Sequence, residues 1–325
     1  LMPAKYFSRS SILLFTCMLT TWIILCFSCQ FGNKAAILWT ANWSADNSLL
    51  AVGGSNNEVL LFETTDFTLI KSYPLDFGVL RMDWHPSKNM LAVAADGSGS
   101  CIIDVEKDKI FELKGISEGS RAIAWNRSGK YLASASYDKS LSIWNPSGSI
   151  ITHVKEAAAK SFVGIDWHPS KDEIITLSDS IRIFDFQGNV LQTLDHRKEE
   201  VLMLSVEWHP SGDLYAIGDY GDHDFKYAPL LQFWNKEGTL RLEVEESKAE
   251  YRNLSWSHDG ARLATASDML RIWSRDGKLL SESGPSDLLW GVDWSSNGEF
   301  IATSSIEGHI KIWNRNAKFV RELNY

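Results

Sequence analysis

Clustered positive charge is missing from this chain. Its 32 Lys and Arg are outnumbered by 41 Asp and Glu, which gives a formal net charge of −9 and a pI of about 5.4. A nucleic-acid surface needs Lys and Arg gathered against phosphates. No such stripe is present, and nucleic acid is not expected as a partner. Cysteine is scarce as well: of four, Cys17, Cys26 and Cys29 fall in the first thirty residues and only Cys101 lies beyond them. The rest of the chain therefore has no disulfide framework. Catalytic signatures are absent. There is no G-x-S-x-G, no H-E-x-x-H, no phosphate-cradling glycine loop and no paired zinc-ligand spacing. The sequence accordingly predicts no catalytic residue, no cofactor and no metal.

Long apolar runs are confined to one place. Lys5 and Arg9 precede an apolar stretch over residues 12–26, which Phe27, Ser28 and Cys29 end. A basic start, an apolar middle and a small residue before the break make a secretory signal pattern. The stretch is at the short limit for a membrane-spanning helix, which needs roughly 20 residues. Ser28-Cys29 resembles the end of a bacterial lipoprotein signal, although Cys26 stands where that pattern usually has leucine. The resemblance implies lipid attachment at Cys29. Residues 1–29 are thus expected to be a signal or membrane anchor and residues 30–36 a short tether. The protein is then exported and held at a membrane of the bacterial periplasm or cell surface. The alternative is an intracellular protein whose start is misassigned.

Tryptophan is what the chain has in excess, with 14 in 325 residues. Each buries on the order of 150–250 Å², so a repeated packing position is the natural reason for so many. One pattern does recur, in which an apolar strand ends in Trp, a polar turn follows, then Leu-Ala with small residues, then a strand ending in an aromatic. The leading residues are Trp43, Trp84, Trp125, Trp167, Trp208, Trp256 and Trp294, spaced by 41, 41, 42, 41, 48 and 38. A period near 42 falls within the range of four-stranded propeller blades. Each repeat supplies an inner strand, a Leu-Ala-rich second strand, a third strand and an outer strand that alternates polar and apolar.

At these residues the chain resembles the WD-repeat family. The naming dipeptide survives in altered form as Trp144-Asn145, Trp234-Asn235, Trp273-Ser274, Trp313-Asn314 and Phe184-Asp185. The resemblance implies an all-β fold, a seven-bladed β-propeller of four-stranded antiparallel blades over residues 37–325. The family's Gly-His before the inner strand is essentially missing, so its His–Ser–Asp–Trp hydrogen-bond set is incomplete, with an Asp member kept at Asp138 and Asp268. Blade one opens with its own inner strand and blade seven closes with its own outer strand. Ring closure is therefore expected from face packing alone.

Function on a propeller belongs to rim loops held by a rigid ring. Blade five departs from the others there. It needs 26 residues from Trp208 to Trp234 where most blades need 17 or 19, and the surplus sits in residues 219–229 with Tyr220, His223, Phe225 and Tyr227. Trp39, Arg121, Arg252 and Trp290 stand at equivalent positions where the inner strands begin. Together with Tyr137 these are the candidate partner-binding residues, since aromatic and Arg side chains dominate interfaces. His85, His168 and His209 each follow a repeat Trp, and symmetry spreads them too far apart for one metal ion. Asp83, Asp166, Glu207 and Asp293 each precede one, and are expected to accept backbone N–H groups of their own turns. The function expected is a non-enzymatic, monomeric scaffold for a protein or peptide. The alternative is a propeller hydrolase or lyase using carboxylates or a channel metal.

Overall fold

The computed structural model describes residues 36–325 apart from 98, 116, 117, 198, 199, 223 and 225. The signal segment, Cys29 and the tether up to residue 35 thus lie outside the described residues, as do His223 and Phe225. Among the described residues there is no helix, and so none long and apolar enough to cross a membrane.

Seven four-stranded antiparallel sheets follow one another, each made of four consecutive strands paired in chain order. The inner strands are Leu38–Trp43, Val79–Trp84, Ser120–Trp125, Gly164–Trp167, Met203–Trp208, Asn253–Trp256 and Leu289–Trp294. Every one ends on a repeat tryptophan, as the spacing predicts. The turn after it is tight and polar, and the second strand is buried throughout in six-residue stretches such as Leu49–Gly54 and Met90–Ala95. Outer strands are wet, leaving Ile70, Leu191 and Phe319 exposed.

The core consists of seven clusters, one at each blade junction, because a lone blade has two broad apolar faces to hide. Trp84 packs with Leu61 and Tyr73 of the preceding blade, Trp125 with Ile102, and Trp167 with Ile143. Trp208, Trp256 and Trp294 repeat this around the ring. Trp43 completes it, sharing a cluster with Ala302, Ile310 and Ile312 of blade seven. All seven are 4–6% exposed, which gives each copy the same structural place. Third-strand tryptophans join these clusters and also tie their own blade. The indoles of Trp144, Trp273 and Trp313 donate to Ser134 Oγ, Thr265 Oγ1 and Thr303 Oγ1 at 2.9, 3.0 and 2.8 Å. Asp138 accepts the Ser140 N–H and Asp268 pairs with Arg271, so both serve local turns.

Closure involves more than the face packing expected from sequence. The Trp43 N–H of blade one donates to Asp293 Oδ2 of blade seven at 2.7 Å. Ser296 Oγ adds a longer bond of 3.4 Å to the Ser44 carbonyl. First and last blades are joined by the same kind of bond that links their neighbours.

Candidate functional site at the channel mouth

Four residues before each repeat tryptophan stand Trp39, Leu80, Arg121, Val163, Leu204, Arg252 and Trp290. In five blades this residue is the extra one of a β-bulge. Pairing passes from Leu38 to Thr40, from Val79 to Arg81, from Ser120 to Ala122, from Met203 to Ser205 and from Leu289 to Gly291. A bulge residue has no cross-strand partner and its side chain is re-aimed. Six of these seven side chains, all but Val163, line one cavity of about 280 Å³ together with Arg81 and Asp96. That cavity is the mouth of the central channel.

Aromatic and cationic groups meet there. Trp39 and Trp290 stack with ring centroids 6.4 Å apart and planes at 21°. Gly78 makes room for this, since a Cβ there would lie 2.7 Å from the Trp39 ring. The Arg252 guanidinium lies 4.1 Å from the Trp290 centroid and 5.9 Å from that of Tyr220, while its Nε bonds Glu250 at 2.8 Å. Arg121 reaches Tyr137 both as a cation over the ring, at 5.8 Å, and by a 3.2 Å hydrogen bond to the hydroxyl. Thus Trp39, Arg121, Tyr137, Tyr220, Arg252 and Trp290 fall at this end of the ring, all half-buried.

Arg81 is the residue that sequence reasoning missed. Its register position holds Thr40, Ala122, Gly164, Ser205, Asn253 and Gly291 in the other blades, so Arg81 is the single long side chain at that level. It donates to the carbonyls of Leu80 at 3.1 Å and Arg252 at 2.7 Å, and forms no ion pair among the described residues. Burial pulls its pKa down to about 10, with repulsion from Arg121 and Arg252 adding to the effect. It remains a cation at neutral pH.

The blade-five insertion is built from its root. Asp219 is fully buried, and its Oδ1 accepts the N–H groups of Gly221 and Leu230 at 2.9 and 2.8 Å, pinching the loop shut. Its Oδ2 pairs with His196 Nε2 at 2.9 Å and lies 3.3 Å from Arg197 Nε. Arg197 also donates to the Ala228 carbonyl and lies 5.7 Å from the Tyr227 ring centroid. The loop is therefore strapped to the connection from the preceding blade. Tyr227 is engaged in that strap, whereas Tyr220 turns toward Arg252.

Deeper in the channel, the carboxyls before the repeat tryptophans do not serve their own turns alone, as expected from sequence. They cross to the next blade. Asp83 accepts the Trp125 N–H at 2.6 Å, Asp166 that of Trp208 at 2.6 Å, Glu207 that of Trp256 at 3.0 Å, and Asp293 that of Trp43. Ser255 continues the girdle by accepting the Trp294 N–H at 3.1 Å while donating to Asp293 at 2.9 Å. Burial pushes Asp166 and Asp293 up to about 7, and Asp83 and Glu207 well above the carboxylate range. At the far end of the inner strands the histidines do the same work. Nε2 of His85, His168 and His209 bonds the carbonyls of Gly129, Gly212 and Gly260 in the next blade at 3.0, 3.0 and 2.8 Å. Each ring also meets that blade's tryptophan edge-on. These histidines are inter-blade links, in keeping with their symmetry.

One His–carboxylate group, Asp287, Glu307 and His309, has ligand atoms within 4.8 Å of one another. Lys311 already lies 3.2 Å from Asp287 Oδ2, so a cation of the chain's own occupies part of that group. A hollow of about 530 Å³ is lined by Phe77, Ile110 and Lys114 among others.

Seven like blades around a channel whose mouth carries Trp and Arg define a β-propeller with its distinctive chemistry on one rim. The chain belongs to the WD-repeat β-propeller family. Residues 30–269 match the family model described as the ELP1 first N-terminal beta-propeller, and residues 277–314 that of the WD domain, G-beta repeat. It is similar to the mouse Intraflagellar transport protein 80 homolog, 22% identical over 261 residues that cover 76% of this chain and 32% of that protein. It is likewise similar to Protein transport protein sec13 of Aspergillus fumigatus, 24% identical over 257 residues, 66% of this chain and 84% of that one. COMPASS component SWD3 of Saccharomyces cerevisiae is 29% identical over 179 residues, 52% and 55% of the two chains. The chain spans about a third of the length of the mouse and rat relatives it matches.

Proposed function

We propose that this propeller is a non-enzymatic scaffold that binds a protein or peptide across the channel mouth and the adjoining blade-five loop. The observation that carries this reading is the gathering of Trp39, Arg121, Arg252 and Trp290, recognition-type side chains around one recess. The relatives' names, transport proteins and a component of a complex, support a role in assembly. The enzyme alternative is less well supported, because the channel carboxyls are engaged with backbone N–H groups of neighbouring blades. Metal analysis of the purified chain tests that alternative, and stoichiometric Ca²⁺ or Zn²⁺ would favour it.

The scaffold is further proposed to act at a membrane of the cell envelope, tethered through lipid on Cys29. Support comes from the basic and apolar pattern ahead of Ser28-Cys29. Only seven residues separate Cys29 from Ile37, a reach of about 25 Å. Mass spectrometry of the native N-terminus tests the tether, and an unlipidated, intact Met2 would remove it. The binding reading is tested by pull-down from membranes, comparing wild type with a chain in which residues 222–227 are replaced by two glycines, leaving Asp219 in place. Loss of a recovered partner is expected. Equal recovery, joined to equal recovery by Trp290→Ala, would reject the rim as the binding surface.

A further inference from the structure

Three guanidinium groups, those of Arg81, Arg121 and Arg252, surround a recess of about 280 Å³ on a chain whose net charge is −9. An acidic protein gathers like cations only against their mutual repulsion, so the arrangement calls for a compensating charge. The chain supplies little of it. Glu250 meets Nε of Arg252 at 2.8 Å, and the terminal nitrogens of that guanidinium make no hydrogen bond among the described residues. Arg121 bonds a neutral phenol, and Arg81 bonds two carbonyls. Asp96, the one acid in the lining, forms no ion pair among the described residues. A half-buried cation without a counter-charge has lost part of its hydration, and that cost falls when an anion arrives.

We infer that the channel mouth takes an anionic side chain of a partner peptide, a carboxylate or a phosphate, between Arg81, Arg121 and Arg252 and beside the stacked indoles of Trp39 and Trp290. This rests on the rim being the binding surface, and adds to it the chemistry of the ligand. Guanidinium is the group suited to such an anion, because its planar fork meets carboxylate or phosphate oxygens two at a time. The indoles supply apolar area for the residues that flank it. A recess of this size admits the end of one side chain. A nucleic-acid backbone would need an extended stripe of positive charge, which this rim does not offer.

The test uses a library of capped hexapeptides screened against the full chain at low salt. Each binder is resynthesised with Glu, phosphoserine, Gln or Lys at its acidic position and titrated by fluorescence anisotropy. Wild type, Arg81→Met and Arg121→Gln are compared, the last a change that spares the Arg81 bonds to the backbone. Binders are expected to be acidic, and Gln in place of Glu should weaken them about tenfold or more, as loss of a charge-assisted hydrogen bond does. Either substitution in the protein should erase the difference between the Glu and Gln peptides, and the ranking of Glu against phosphoserine tells which anion the mouth prefers. Peptides that bind with Gln or Lys as tightly as with Glu, yet lose affinity on Trp290→Ala, would overturn the anion assignment and leave the rim standing. A library without any rim-dependent binder would overturn both.

Discussion

Four residues before the repeat tryptophan, six of the seven blades contribute a side chain to the channel mouth. One residue before it, the inner strands contribute to the girdle below, roughly 10 Å away at a strand's rise per residue. Both levels hold half-buried titratable groups, yet they differ in where their hydrogen bonds go. In the girdle, Asp83, Asp166, Glu207 and Asp293 each accept a backbone N–H of the neighbouring blade. At the mouth, Arg81, Arg121 and Arg252 meet aromatic rings, carbonyls and a single carboxylate. The girdle groups close the fold through backbone bonds. The half-buried guanidinium groups of the mouth keep donors that an anion from outside the chain could meet.

Substitutions at the two levels should therefore have opposite consequences. Asp293→Ala leaves the Trp43 N–H and the Ser255 hydroxyl without their acceptor at the junction of last and first blades. It should cost about 3 kcal/mol, the size of two buried polar groups left unsatisfied, and lower the melting temperature by several degrees in calorimetry. Arg81→Met should act the other way, weakening an acidic peptide by about tenfold or more while shifting the melting temperature little. A smaller effect belongs to His168→Ala, which removes the bond to the Gly212 carbonyl and the edge contact with Trp208. About 1 kcal/mol of stability is expected to go, read as a shift of the denaturation midpoint.

The smallest effect sharpens the girdle itself. Burial raises its carboxyls, to about 7 for Asp166 and Asp293, above their unfolded values near 4. Between those values the folded chain binds more protons than the unfolded chain, so stability falls as pH rises through that window. His85, His168 and His209 act with the opposite sign. Burial lowers their pKa, and their contribution is full above about 6.5 and lost as pH falls below it. Asp166→Asn isolates the carboxyl part. On going from pH 8.5 to 7, wild type should gain roughly 0.5 kcal/mol more than the variant, and superimposable pH profiles of denaturation would count against a protonated girdle.

The blades were legible in the sequence because one position per repeat must fill the same inter-blade space. Trp43 through Trp294 mark that position directly, and all seven occupy it. The mouth was legible in part. Trp39, Arg121, Arg252 and Trp290 were found by counting back from the tryptophan, and the structure brings them together. Arg81 was not found, although its position carries only small or short residues in the other blades, a signal that a comparison of repeats would have shown. Bulges left no mark, since they arise from strand pairing rather than residue type. The girdle was legible only for bonds within a turn, such as that from the Trp167 N–H to Asp166. Across blades, a carboxyl and the N–H it meets lie 42 residues apart from Asp83 to Trp125 and 250 apart from Asp293 to Trp43, and only closure of the ring sets them side by side.

If the mouth serves binding and the girdle serves the fold, melting temperature and acidic-peptide affinity should separate when both are measured for Arg81→Met and Asp293→Ala. Arg81→Met should keep its melting temperature and lose the peptide, while Asp293→Ala should melt several degrees early and, below that temperature, still bind. Wild-type affinity in Arg81→Met, with binding lost instead in a folded Asp293→Ala, would contradict this division of roles.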